Sequence, residues 1–279
     1  ATVASGTIPG VTPPVTGATP KTTLTATTYT GTIVWDKPFI AGKFAPNTIY
    51  TATINLTPKA GFTLIGIGLG YSSVDGATST DNSGGVVTAA FPPTAVAPIT
   101  AMGAIIGTGK AGSVLTAGAL TPSGADATAT YQWKISDTAS GTYTDIPSET
   151  NKTYTPWGDA VGKYIKVEAT GNGDYSGTRL SAAKLITAVV PDKPNFALLT
   201  PGNGQVTIQT GPSWDGGSPV TLWTATASPG GKTVTSSTSE IIVTGLTNGI
   251  PYTFTVKAKN AIGTSPVSDP SDSATPIGP

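Results

Sequence analysis

The sequence predicts an all-β chain built as three tandem β-sandwiches that form an elongated rod. Three observations lead there. First, residues 252–259 alternate cleanly: Tyr252, Phe254, Val256 and Ala258 share one face, and Thr253, Thr255, Lys257 and Lys259 share the other. A period of two with one apolar side is the mark of a half-buried strand. Second, the same design recurs upstream at residues 50–57 and 131–135. Third, Gly, Pro and Asn-Gly turn signals separate the runs, as at Asn248-Gly249. The chain of 279 residues then divides into modules at 1–94, 95–189 and 190–279. Each holds about 90 residues, enough for one sandwich core without disulfides.

Taken in order, residues 1–20 are rich in Pro, Gly and Thr, and Pro13-Pro14 forces an extended path. They read as a linker plus a first edge strand, with pairing to a neighbouring molecule as the sharper alternative. In Tyr29–Trp35, Tyr29, Ile33 and Trp35 share a face, which makes Trp35 the expected core aromatic. Residues 50–57 form the next strand, residues 58–61 turn into Phe62, and Val87, Ala89 and Phe91 close the module before Pro92-Pro93.

This module resembles the Ig-like repeats of large bacterial surface proteins. The motifs that carry the resemblance are Val-Thr-Gly-Ala-Thr-Pro at 15–20, Tyr-Thr-Gly-Thr-x-x-Trp at 29–35, Tyr-Thr-Ala-Thr-x-x-Leu-Thr-Pro-Lys-x-Gly at 50–61, Gly-Ala-Thr at 76–78 and Phe91-Pro92. Residues 65–73 depart from it, being Gly-rich where the repeats carry Phe, and suggest an exposed or interface loop.

The second module centres on residues 131–135, with Trp133 facing inward. A turn leads to residues 141–146, Tyr154 begins another edge, and Ile165, Val167 and Ala169 share a face. It is similar to a second bacterial Ig-like repeat, through Tyr-Gln-Trp at 131, Gly-x-Tyr-x-x-Ile at 141, Tyr-Thr-Pro at 154, Asp-x-x-Gly-Lys-Tyr-Ile-Lys-Val at 159 and Gly-Asp-Tyr-Ser-Gly at 173.

The third module follows Pro191-Asp192-Lys193-Pro194. Residues 203–208 are its second strand, residues 215–220 its next loop, and residues 260–263 its last turn. It resembles a fibronectin type III domain. That resemblance implies a tyrosine corner from Leu246 and Tyr252, with the hydroxyl bonded to nearby backbone. Two residues depart from the pattern. Thr210 stands where the family buries a Trp, and Trp223 where it has Tyr, so Trp223 or Trp214 is expected to refill the core. The joints, 92–98 and 189–194, are short and Pro-bearing, which makes them semi-rigid spacers. Strands of this length stacked end to end give a rod on the order of 100 Å.

Composition narrows the chemistry. The chain has 15 acidic and 15 basic residues, no Cys and no His. Net neutrality argues against nucleic acid as a partner, since that needs a concentrated basic face. Charged residues make up 11%, far below the usual quarter, and Thr, Gly, Ala and Pro replace them. Such a surface suits an extracellular β-protein. No apolar run reaches the ~18 residues of a membrane span. A catalytic triad lacks its usual base, and zinc and haem lack their common ligands. Gly66, Gly68 and Gly70 do not open a helix, so they are not a phosphate loop. The three Glu residues, Glu149, Glu168 and Glu240, have no α/β or barrel frame to set a glycosidase pair. The chain is read as non-enzymatic, with no cofactor.

The remaining candidates are few. Asp75, Asp81 and Asn82 flank one loop and offer oxygen ligands for calcium, and Asp192 sits at a joint where calcium would clamp modules. Trp157 and Trp214 lie in loops, where an exposed aromatic contacts sugar or protein unless it packs on its own or the adjacent module. A Lys–Asn cross-link would demand a buried, unpaired Lys.

The resemblances imply a structural or adhesive part of a bacterial cell-surface protein of the S-layer type, extracellular or secreted, a stiff spacer that contacts itself or cell-wall components. Two alternatives stand beside it: a carbohydrate-binding accessory region of a secreted polysaccharide-degrading enzyme, and a phage virion decoration or tail protein.

Overall fold

A computed structural model describes residues 6–64 and 72–278. The Gly-rich stretch expected to be an exposed loop falls largely outside them. The described residues are all-β apart from two short 3-10 turns, Ser123–Ala127 and Gly158–Ala160. The strands form small sheets that pack as tandem β-sandwiches.

The chain groups into two compact units. The first runs to Met102 and includes Ala119–Thr130 and Ala169–Arg179. Its main sheet orders Thr23–Thr25, Tyr29–Trp35, Thr51–Pro58, Val86–Ala90 and Ser79–Ser83 side by side, all antiparallel. Strict alternation explains the sheet. In Tyr29–Trp35 every odd residue is buried and every even one exposed, so Tyr29, Ile33 and Trp35 enter the core beside Tyr50, Ala52 and Ile54. Fully burying such side chains is worth about 1.5–3 kcal/mol each. Trp35 meets Phe44 edge to face at 4.9 Å, and its indole N–H donates to the Lys21 carbonyl at 2.9 Å. The N-terminal segment is part of this unit. Gly6–Ile8 pairs in parallel with Ser72–Val74, and Ile8 and Val11 are buried. It supplies an edge strand to its own unit, the strand half of the expectation for this segment.

The second unit comprises Gly103–Gly118, Tyr131–Glu168 and everything from Leu180 on. Near its start Thr144–Asp145, Thr130–Ser136 and Tyr164–Thr170 are sheet neighbours, and Lys184–Leu185 pairs with Tyr164–Thr170. Trp133 is fully buried, its indole donating to the Asn151 carbonyl at 2.8 Å and its ring 5.4 Å from Tyr154.

Further along, two three-stranded sheets face each other. One orders Pro194–Gly202, Gln205–Pro212 and Glu240–Thr244; the other Thr233–Ser236, Leu222–Ser228 and Thr253–Lys259. Val206, Ile208, Trp223, Ile241, Val243, Phe254 and Val256 fill the space between them. Trp223 refills the core, while Trp214 stays half-buried outside it. Thr210 is buried and donates its hydroxyl to the Asn195 carbonyl at 2.7 Å. Leu246 and Tyr252 are buried, and the Thr247 N–H donates to the Tyr252 hydroxyl at 3.2 Å.

Candidate functional site

One surface feature that combines aromatic and charged groups lies in the second unit, around the turn that begins at Trp157. Pro156 is buried and its carbonyl accepts from the Gly112 N–H at 2.7 Å, which fixes the entry of the turn. Trp157 is extended, and the chain then winds through Gly158–Ala160, with the Ala160 N–H donating back to the Trp157 carbonyl at 3.0 Å. Ala160 is fully buried, so the turn is nailed down while Trp157 stands 55% exposed.

That indole packs against Trp214. The ring centroids lie 5.4 Å apart with planes at 80°, an edge-to-face pair, the geometry that ring quadrupoles favour. Gly112 sits beneath both rings; a methyl group there would lie 3.4 Å from Trp214 and 3.5 Å from Trp157. The structure thus brings together the two tryptophans expected at contact loops, and each covers part of the other.

Trp214 is placed by the segment that follows it. The Asp215 carboxylate accepts from the Gly217 N–H at 2.9 Å, closing a tight turn. Gly216 and Gly217 take φ of 80° and 75°, which glycine alone adopts freely. A Cβ on Gly216 would also lie 2.2 Å from the Val189 carbonyl oxygen, and one on Gly217 2.5 Å from Val161. The backbone therefore passes directly against the 189–194 joint. The Val189 N–H donates to the Gly216 carbonyl at 2.9 Å, and the Asp192 N–H to the Trp214 carbonyl at 3.0 Å. Asn260, 2% exposed, completes the tie. Its amide donates to the carbonyls of Val189 at 2.7 Å and Asp215 at 2.9 Å, while its oxygen accepts from the N–H groups of Ile262 and Gly263. The sequence offered Asn260 only as a turn residue; nothing local in it signals the reach to Val189.

The 92–98 joint, in the first unit, is fastened in the same way. The Thr94 hydroxyl donates to the Ala45 carbonyl at 2.6 Å and accepts from the Thr48 N–H at 3.0 Å. Beyond it, the Ala97 N–H donates to the Asp174 carbonyl at 2.9 Å and the Ile99 N–H to the Ser176 carbonyl at 2.8 Å.

Beside Trp157 lies a groove of about 410 Å³ lined by Val114, Ile146, Glu149, Tyr154 and Asp159 among others. Tyr154 is 8% exposed, with its ring against Trp133. Burial foremost, then the negative fields of Asp159 and Glu149, push its phenol up to about 12.

The calcium candidates are arranged differently. Asp81 and Asn82 are neighbours in the strand Ser79–Ser83, so they point to opposite faces: Asp81 is exposed and Asn82 is 2% exposed. Asp75 lies exposed in the turn before that strand. Among the described residues no three acidic side chains converge on one point. Asp192 is exposed and engages the joint through its backbone. Lys134 is enclosed but paired, 2.6 Å from Asp145 and 3.6 Å from Glu168. The Asp145 hydrogen bond, aided by Glu168, raises its pKa against the opposing effect of burial. It is a held ammonium, not the neutral amine that a cross-link needs.

The fibronectin type III domain model matches residues 195–274. The matched stretch holds the two three-stranded sheets, Asn260 and the Tyr252 corner. No curated protein matches the chain. Among solved structures, one of titin kinase and its flanking domains aligns at 25% identity over 32% of this chain and 18% of that one, with a TM-score of 0.29. A structure of domains from titin aligns at 16% identity over 90% of this chain and 100% of that one, with a TM-score of 0.31. The selenomethionine-substituted chicken interferon gamma receptor alpha chain aligns at 10% identity over 64% of this chain and 100% of that one, with a TM-score of 0.42. Scores this low carry no argument about function. The chain spans under a fifth of the first of these structures. No helix among the described residues is long and apolar enough to cross a membrane.

Proposed function

We propose that this chain is a non-enzymatic structural and adhesive module of an extracellular bacterial surface protein, working as a semi-rigid spacer. Its units would be three sandwiches at 1–94, 95–189 and 190–279, and its contacts would be with copies of itself or with cell-wall components. The observation that supports this most is the pinned joint. Four backbone groups of the 189–194 and 214–217 segments, together with the buried Asn260 amide, leave the joint little freedom to bend. A tether meant to flex would spend none of these bonds on its hinge. The Thr-rich exteriors of the strands support the extracellular part of the reading, as do the bacterial repeat motifs in the first two modules.

Small-angle scattering tests the spacer directly. Replacing 189–194 by a Gly-Ser stretch of equal length should broaden the distribution of interatomic distances, because such linkers behave as random coils. An unchanged profile would remove the support for stiffness. Sedimentation over a concentration series, with and without cell-wall material, tests the adhesive part; a monomer indifferent to both would reject it.

A further inference from the structure

We propose that Asn172 is a self-modifying site: the backbone nitrogen of Gly173 attacks its side-chain amide, ammonia leaves, and the residue ends as aspartate or isoaspartate. The inference goes beyond the spacer role and does not rest on it. The chain holds three Asn-Gly steps, at Asn172, Asn203 and Asn248. Such a step is the least hindered for this reaction, because glycine puts no Cβ beside the attacking nitrogen. The fold separates the three.

Asn203 and Asn248 hold each other. The Asn248 amide donates to the Asn203 side-chain oxygen at 2.8 Å, and its own oxygen accepts from the Gly204 N–H at 2.7 Å. The nitrogen that would attack Asn203 is therefore engaged by a different residue. The Gly249 N–H, which would attack Asn248, donates to the Pro276 carbonyl at 2.9 Å. At Asn172 the side chain turns back on its own neighbour. Its Oδ1 accepts from the Gly173 N–H at 2.8 Å, so the carbonyl carbon is held beside the atom that attacks it, as a near-attack pose requires. Asn172 is exposed, and a Cβ built on Gly173 would meet nothing within 4 Å. Hydroxide thus reaches the N–H, and ammonia has an open exit.

Hydroxide takes the Gly173 N–H proton, the nitrogen bonds to Asn172 Cγ, and the Cγ–Nδ2 bond breaks, with water protonating the leaving group to ammonia. The cyclic imide then takes up one water. Opening at Cγ gives aspartate; opening at the backbone carbonyl gives isoaspartate, whose main chain is longer by one methylene. Nothing is oxidised or reduced.

The place ties this chemistry to the 92–98 joint. The Asn172 carbonyl accepts from the Tyr175 N–H at 3.3 Å and from the Thr128 hydroxyl at 3.0 Å, closing a tight turn. That turn sets Asp174 and Ser176, whose carbonyls receive the Ala97 and Ile99 N–H groups. An added methylene, and a new carboxylate close in sequence to that of Asp174, open the turn and unfasten the strand that leaves the joint.

The test ages the whole chain at mildly alkaline pH, once folded and once in guanidinium chloride, and maps tryptic peptides by mass spectrometry. Cleavage after Lys166 and Arg179 isolates Asn172 from the other two steps. In the folded chain, conversion at Asn172 should outrun that at Asn203 and Asn248 by at least about tenfold, whereas in denaturant the three should agree within about threefold. Asn172→Gln, which would have to close a larger and slower ring, should stay unconverted there. Hydrogen exchange at the Ala97 and Ile99 amides should rise with the converted fraction in the wild type and stay level in that variant aged alongside. No conversion at Asn172 in the folded chain, equal or faster conversion at either other step, or exchange at Ala97 and Ile99 unmoved by conversion would each overturn the proposal.

Discussion

The side-chain amide of Asn260 donates to the carbonyl of Val189 at 2.7 Å, joining residues 71 apart in sequence. With its three further bonds it serves four backbone groups, two in its own turn and two along the joint. Asn260→Ala should cost about 3 kcal/mol, because several of those groups would be left buried without partners. Asn260→Asp should be nearly as harmful, since a carboxylate cannot donate to Val189 and Asp215. Denaturant titration gives the cost. Hydrogen exchange at the Val189 amide should rise in both variants.

The Trp157–Trp214 pair makes a separate prediction. Its coupling, isolated by a cycle of Trp157→Ala, Trp214→Ala and the double variant, should be about 0.5–1.5 kcal/mol. Additive single effects would mean that the rings share space without energy.

A device at the C-terminal edge predicts a cost at residues that look dispensable. Ser265, Ser268 and Ser271 each accept from a strand N–H, of Ala258, Val256 and Phe254, through the side-chain hydroxyl, and each donates its own N–H to the carbonyl of the same residue. Ser268→Ala should destabilise by about 1–3 kcal/mol by orphaning the buried Val256 N–H. Ser273, exposed and off the ladder, should tolerate Ala within about 0.5 kcal/mol. Thermal unfolding of the two variants compares them.

Tyr154 sets a pH dependence. Its phenol has an ordinary value of 10.0 and is raised to about 12 in the fold. The folded chain therefore keeps a proton that the unfolded chain releases. Its contribution is intact below pH 10 and is lost as pH rises towards 12, at up to about 1.4 kcal/mol per pH unit. Wild-type stability should fall more steeply than that of Tyr154→Phe across this window, as measured by urea titration at successive pH values. Parallel curves would contradict the assignment.

The strands were legible because burial on one side of a sheet writes itself as alternation. The buried positions of Trp35, Trp133, Tyr252, Phe254 and Val256 follow that pattern. Residues 265–274 were not legible. Serines spaced by three pair with a strand whose bonded residues are spaced by two, so neither standard period appears. The partner of the N-terminal edge strand was hidden, because Gly6–Ile8 pairs with a segment some 66 residues away. Asp81 and Asn82 looked like one ligand cluster because adjacency in sequence was read as adjacency in space, and a strand reverses that. The joint was hidden for the opposite reason: Trp157, Val189, Trp214 and Asn260 are close in the fold but share no local pattern.

The central proposal is that three sandwiches fold as separate bodies joined by short stiff links, and single-molecule stretching from the two ends tests it most directly. Three resisted unfolding events are predicted, each lengthening the chain by roughly 30 nm, the extended length of about 90 residues. A single event of roughly three times that length, or extension with no resisted event, would contradict it.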